Sequence, residues 1–178
     1  MNGELDFKEA LTQRVQLLKG LSEDVLHTAY KERITFMSGA KELVATMREH
    51  GAKTLLVSGG FTFFTSRVKE ALGFDIEEAN VLEIADGALT GAVVPPIRDK
   101  LAKRDALSYY TEKFGLQEQE TLAVGDGAND LPMLQLAGLG VAYHAKPAVR
   151  SAVQARIDHT DLTALLYAQG YMSGDIIR

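Results

Sequence analysis

Two glycine-containing stretches of the chain carry groups suited to handling a phosphate. Gly125-Asp126-Gly127-Ala128-Asn129-Asp130 places two carboxylates and an amide directly after the apolar run Thr121–Val124. It opens like a dinucleotide fingerprint, Gly-x-Gly, but Asp130 stands where the third glycine would be and Asp126 lies inside the turn. Anionic side chains there would repel a pyrophosphate unless a cation intervened. Hard oxygen ligands around a phosphate point to Mg²⁺, which takes one or two carboxylates and leaves its other positions to water and substrate oxygens. A plainer reading has Asp130 capping its helix and Asp126 solvated. Ser58-Gly59-Gly60 supplies a hydroxyl and two residues without Cβ after a second apolar run, Lys53–Val57, at the predicted start of a helix. Backbone N–H groups and the positive end of a helix attract an oxyanion at such a turn, although Ser-Gly-Gly by itself serves equally to reverse the chain. The presence of both stretches in one chain favours a phosphate site over two unrelated turns.

Lys103, near the start of a predicted helix, is a compact point charge suited to steadying a carboxylate and a phosphoryl group together. Arg14 follows Phe7 by two helical turns, so the two share a face, and an arginine fork beside an aromatic ring could take a substrate carboxylate. The bland alternative makes Phe7 core and Arg14 surface charge. His27, His50, His144 and His159 have no His-x-x-x-His spacing, which argues against zinc, and Ser58 lacks the Gly-x-Ser-x-Gly setting of an esterase nucleophile.

These residues need a scaffold, and its outline is periodic. Phe7, Leu11, Val15 and Leu18 recur at helical steps, and a second helix is expected from Ser22, its N-cap. From Ser38 the pattern alternates: helix Ala40–His50, strand Lys53–Val57, and a helix ending at Gly73. Asn80–Ile84 and Ala88–Val94 follow as a hairpin about Asp86-Gly87, a dipeptide that tolerates the positive φ angles of tight turns. Helix Leu101–Phe114, strand Thr121–Val124, helix Leu131–Ala137, strand Leu139–Tyr143 and a last helix capped by Asp161 complete the reading. Strands alternating with helices imply an α/β fold, a parallel sheet flanked by helices, whose ligands bind beyond the carboxyl ends of strands. Both glycine stretches lie at that edge, where a cation on one and an oxyanion on the other are expected to meet.

The chain has 178 residues, 46% of them hydrophobic and 24% charged, which is the composition of a globular domain. A net charge of −5 with no basic run is a poor match for nucleic acid or anionic lipid. The absence of cysteine excludes disulfides, thiolate metal sites and cysteine nucleophiles. The longest nearly uncharged apolar stretch, Leu134–Tyr143, is about half of a bilayer span, and the N-terminus carries no apolar signal region, so a cytoplasmic protein is expected.

Leu56-Val57-Ser58-Gly59-Gly60-Phe61, Lys103 and Val124-Gly125-Asp126-Gly127-Ala128-Asn129-Asp130-Leu131-Pro132-Met133 resemble the phosphoserine phosphatases of the haloacid dehalogenase superfamily. The likeness spans nearly the whole chain. It implies a Rossmann-like core over residues 38–178, with a β-hairpin flap at about 79–94, and a helical cap remnant over residues 1–37. It further implies that Ser58, Gly59, Lys103 and Asn129 bind the phosphoryl group, that Lys103 also steadies the nucleophile, and that Asp126 ligates Mg²⁺ with Asp130 behind it. Arg14 would hold the substrate carboxylate, with Phe7 and Met1 closing the pocket. The reaction implied is Mg²⁺-dependent hydrolysis of O-phosphoserine, the last step of serine biosynthesis, through a phospho-aspartate. Another small phosphomonoesterase or phosphotransferase, or a non-catalytic phosphate-binding module, are the alternatives.

One family element is missing from the sequence. The family's nucleophile and acid/base aspartates form an Asp-x-Asp-x-Thr or Val motif after the first strand, and no such motif occurs here; the nearest local match, Asp75-Ile76-Glu77, lacks the strand before it and the Thr or Val after it. Met1 falls where family members already have an internal cap residue, which reads as a late start. The first strand lies centrally in the family sheet. Its absence is expected to leave two apolar strands with unpaired edges, open to homo-oligomer formation, and a chain that is marginally stable and inactive alone.

Overall fold

The computed structural model describes residues 3–99 and 101–178, the first four of these by backbone alone. The chain forms two compact units, Met1–Asp99 and Lys100–Ile177.

The first unit begins with helices α1 (Gly3–Gln16), α2 (Asp24–Arg33) and α3 (Ala40–Glu49), followed by strand β1 (Leu55–Phe61), helix α4 (Thr62–Leu72) and the strands β2 (Ile76–Ala85) and β3 (Ala88–Val94). Strand β2 pairs parallel with β1 and antiparallel with β3. The hairpin turns at Asp86 and Gly87, with φ of 51° and 73°, the left-handed pair that an Asp-Gly turn was expected to supply. Val15 of α1 and Leu26 of α2 share a core with Leu82, Leu89 and Val93 of the hairpin. The link between the two helices runs along β3: Gly20 N–H donates to Leu89 O at 2.8 Å, Leu89 N–H to Leu21 O at 2.8 Å, and Glu23 N–H to Gly87 O at 2.9 Å. Residues 15–26, within the span expected as a cap remnant, are thus joined to the hairpin expected as a flap by both apolar burial and backbone bonds. Each fully buried leucine there contributes roughly 2 kcal/mol.

The second unit contains α5 (Ala102–Lys113), β4 (Leu122–Gly125), α6 (Leu131–Leu136), β5 (Leu139–Tyr143), α7 (Pro147–Arg150), β6 (Ala155–Ile157) and α8 (Ala164–Ala168). Its three strands form a parallel sheet in the order β4-β5-β6. Ala123, Leu134, Ala142, Ala145 and Val149 make its core. The three-residue β6 and four-residue α7 were not foreseen, because elements that short show no periodicity.

Among the described residues β1 is paired only with β2, and β4 only with β5, so each is an edge of its own three-stranded sheet. These are the two strands expected to carry an unpaired edge.

Candidate functional site

The Ser58-Gly59-Gly60 stretch differs from its expected setting in one respect. It does not open the helix: β1 continues through it to Phe61, and α4 begins only at Thr62. The register along β2 explains the difference, since Val57 pairs with Glu78 and Phe61 with Asn80, so three residues of β1 stand against one of β2. Ser58, Gly59 and Gly60 bulge out of the ladder, which bends the strand and re-aims its groups. Gly60 N–H donates to Ser58 Oγ at 2.9 Å. With that lone pair occupied, the Ser58 hydroxyl keeps its own proton to donate, the polarity an oxyanion requires.

Two residues not foreseen from sequence hold the bulge. Asn80, 1% exposed, donates from Nδ2 to Gly59 O at 3.0 Å and accepts at Oδ1 from Arg98 N–H at 2.8 Å. The Arg98 side chain donates to Ala79 O at 3.2 Å and pairs with Glu78 at 2.5 Å. A signal for Asn80 was present: it lies two residues before Leu82, in the inward register of an apolar strand, where an amide must find partners. Phe7 reaches the same turn, for a Cβ built on Gly59 would sit 3.8 Å from Phe7 Cζ. Arg14, two turns further along α1, is exposed, and Met1 lies outside the described residues.

In the second unit Asp130 is 1% exposed, and its carboxylate organises the acidic loop. Oδ2 accepts from Asp126 N–H and Gly127 N–H, both at 2.9 Å, while Oδ1 pairs with Lys103 Nζ at 2.5 Å. Asp130 precedes α6 but makes no side-chain cap to it; the carboxylate turns back toward the strand instead. Gly125 must be glycine for this, because a Cβ there would lie 2.5 Å from that of Asp130. The structure therefore brings Lys103 and Asp130 together across 27 residues, a contact that the sequence did not foretell. Asp126 and Asn129 have exposed side chains.

This division of labour bears on the metal. Among the described residues no group of three His, Asp or Glu side chains could hold an ion, so an all-protein cage is not built. Both oxygens of Asp130 are committed to protein donors. The exposed Asp126 carboxylate, with no hydrogen bond among the described residues, fits a hard divalent cation that keeps most of its shell for water and phosphate oxygens.

Asp75 and Glu77, the nearest sequence match to an aspartate pair, are structural. Asp75 Oδ2 accepts from Thr54 N–H at 2.8 Å and Thr54 Oγ1 at 2.9 Å, and Oδ1 from Arg48 Nε at 3.2 Å. Burial alone would raise the Asp75 pKa, but the two Thr54 hydrogen bonds, with the charges of Arg48 and Lys53, hold it below the usual carboxylate value. Glu77 accepts from Thr65 Oγ1 at 2.5 Å and Ser66 Oγ at 3.0 Å, which ties α4 to β2.

Comparison with known proteins identifies the family. The family model for haloacid dehalogenase-like hydrolases matches residues 2–135. The phosphoserine phosphatase of Albidiferax ferrireducens is 48% identical over 171 residues, covering 93% of this chain and 72% of its own. A probable phosphoserine phosphatase from Vibrio cholerae, solved without ligand, superposes with a TM-score of 0.87 at 41% identity over 92% of this chain and 50% of its own. A structure described as a phospho-aspartyl intermediate analogue of phosphoserine phosphatase superposes with a TM-score of 0.84 at 38% identity over 91% of this chain and 77% of its own. The chain spans half the length of the Vibrio protein. No helix among the described residues is long and apolar enough to cross a membrane. On these matches, and on the Ser58 and Gly125–Asp130 stretches that the family model spans, the chain belongs to the haloacid dehalogenase-like hydrolases, in their phosphoserine phosphatase branch.

Proposed function

We propose that this chain carries the phosphate-binding and metal-binding parts of a phosphoserine phosphatase, which hydrolyses O-phosphoserine to serine and phosphate. The observation that carries the reading is the specialisation within the Gly125–Asp130 loop: Asp130 is spent on the loop and Lys103, while the Asp126 side chain is exposed. In this reading Ser58 donates its hydroxyl proton to a phosphoryl oxygen, with the Gly59 backbone beside it. Lys103, held by Asp130, offers its remaining ammonium protons to the phosphate and to an attacking carboxylate, and Asn129 adds an amide donor. Asp126 would hold Mg²⁺, which when bound supplies positive charge against the phosphoryl oxygens. Arg14 takes the substrate carboxylate and Phe7 covers the cradle at Gly59, which selects an amino-acid phosphate over a plain alcohol phosphate. The fit to a serine-biosynthesis enzyme of the cytoplasm follows from that substrate.

The nucleophile is an aspartate in this reading, because a relative's structure is described as a phospho-aspartyl analogue. None of these 178 residues supplies the required motif, and the closest pair, Asp75 and Glu77, is committed elsewhere. The purified chain is therefore expected to bind phosphoserine in the presence of Mg²⁺ without releasing phosphate. Calorimetry with phosphoserine and glycerol phosphate should show at least about tenfold tighter binding of phosphoserine, a margin that Arg14→Ala removes, as expected of a charged hydrogen bond worth about 1.5–3 kcal/mol. Equal binding of the two esters would defeat the substrate assignment. Phosphate release by this chain alone would defeat the account of its missing nucleophile.

A further inference from the structure

We infer that Asn80 is a positioning residue for the phosphate cradle: its buried amide fixes the peptide plane between Gly59 and Gly60 and so determines which way the Ser58 hydroxyl donates. The inference rests on the reading of Ser58 and Gly59 as the phosphate site.

The argument starts from the bulge. Three residues of β1 stand against one of β2 between the pairs Val57–Glu78 and Phe61–Asn80, so the ladder lacks a backbone partner for Gly59 O there. The Asn80 side chain, itself 1% exposed, replaces the missing partner with a 3.0 Å bond from Nδ2 to Gly59 O. The peptide group is planar and trans, so holding Gly59 O on one side turns Gly60 N–H to the opposite side. Gly60 N–H there meets Ser58 Oγ at 2.9 Å, and the occupied lone pair leaves the hydroxyl proton as the serine's only remaining donor. Asn80 thus reaches the ligand through two intervening bonds without touching it.

The choice of residue type is also determined. One side of the amide faces a carbonyl, Gly59 O, and the other faces an N–H, that of Arg98 at 2.8 Å. Backbone groups cannot exchange polarity, so the site needs one donor and one acceptor on a single short side chain. Aspartate has the same shape but carries only acceptors when ionised, and would set a carboxylate oxygen against Gly59 O. Leucine and alanine would leave both backbone groups unpartnered. Arg98 holds the assembly in register through Ala79 O and Glu78, so the segment that follows the hairpin and the turn read as the phosphate site share one set of bonds.

Inorganic phosphate titrated into the labelled chain, read by amide chemical shifts, tests this. In the unmutated protein the Gly59 and Gly60 amides and the Asn80 side-chain NH₂ should shift together with one binding constant. Asn80→Asp is expected to weaken phosphate binding by at least tenfold and to speed Gly60 amide exchange by at least tenfold. The Leu82 and Leu89 amides should keep their protection, whereas a residue that merely supported the fold would accelerate all of them alike. Asn80→Ala should lower phosphate affinity less than Asn80→Asp, because it removes the bonds without adding a repelling charge. If phosphate moves neither glycine amide in the unmutated protein, the cradle reading falls and this inference with it. If phosphate moves the glycines but the Asn80 NH₂ stays fixed, or Asn80→Asp binds within twofold of the original, the inference alone is overturned. Should Asn80→Asp fail to fold, the side-chain shift in the unmutated protein decides the matter.

Discussion

The two glycine loops reach similar ends by different means. The Gly125–Asp130 loop is held from within: Asp130 bonds the amides of Asp126 and Gly127, four and three residues away, and only Lys103 comes from elsewhere. The Ser58–Gly60 bulge is held from outside, by a side chain 21 residues later that is itself seated by the backbone of Arg98, 18 residues further on. The acidic loop keeps its shape as long as its own few residues do. The bulge keeps its shape only while the hairpin beside it is folded.

The largest test of the contrast is Asp130→Ala. It strands two backbone N–H groups and leaves Lys103, 21% exposed in its side chain, without its partner. Removing one member of a buried pair costs about 3–5 kcal/mol, and urea unfolding should show a loss of that order. Exchange protection should vanish at the Asp126 and Gly127 amides while Gly60 stays as it was; equal loss at all three would erase the distinction between the loops. Gly125→Ala attacks the same loop sterically. A Cβ 2.5 Å from that of Asp130 forces the two backbones apart, and we expect about 1–3 kcal/mol of destabilisation together with weaker Mg²⁺ binding. An alanine tolerated with unchanged unfolding would mean the loop has slack that its hydrogen bonds do not suggest.

The same contrast explains what could be read from the sequence. The acidic loop stood out in the sequence because its carboxylates, amide and glycines lie within six positions, but the return of the Asp130 carboxylate onto the Asp126 and Gly127 amides did not. The Asp-Gly hairpin was legible for the same reason: two residues with positive φ determine it. The Ser-Gly-Gly stretch was visible but its setting was not, since the bulge exists only in relation to the register of β2. Neither Asn80 nor Arg98 carries a motif, and their contacts with the turn form only after the chain has folded back. The pairing of β2 with β1 was missed because Asp75, Glu77 and Glu78 look like exposed loop residues. In the folded chain Asp75 and Glu77 tie β2 to Thr54 and α4, and Glu78 pairs with Arg98. Lys103 was legible as a charge, though its bond to Asp130 was not, because 27 residues separate them.

The smallest effect concerns acid, and it sharpens the comparison from the other side. Asp75 joins the start of β2 to Thr54, just before β1, so it guards the foot of the pair whose far end carries the Ser58–Gly60 bulge. Its pKa is held below its unfolded value of about 3.9. The sign follows by linkage: a depressed carboxyl contributes stability that is fully present above the unfolded value and is lost as pH falls through the folded one. Arg48 is half exposed, so its ion pair adds little, and the Thr54 bonds carry most of the effect. Asp75→Asn can keep one acceptor oxygen for both Thr54 donors, which meet the same Oδ2, and removes the charge and the acceptor facing Arg48, so we expect about 1 kcal/mol of destabilisation at neutral pH. Below the folded pKa the variant and the original should converge. Urea midpoints for both proteins from pH 6 to acid would trace this, with the Gly60 amide losing protection in step with the original protein's decline. A constant offset between the two curves down to the lowest pH would mean that shape, rather than charge, holds the foot of β1 against β2.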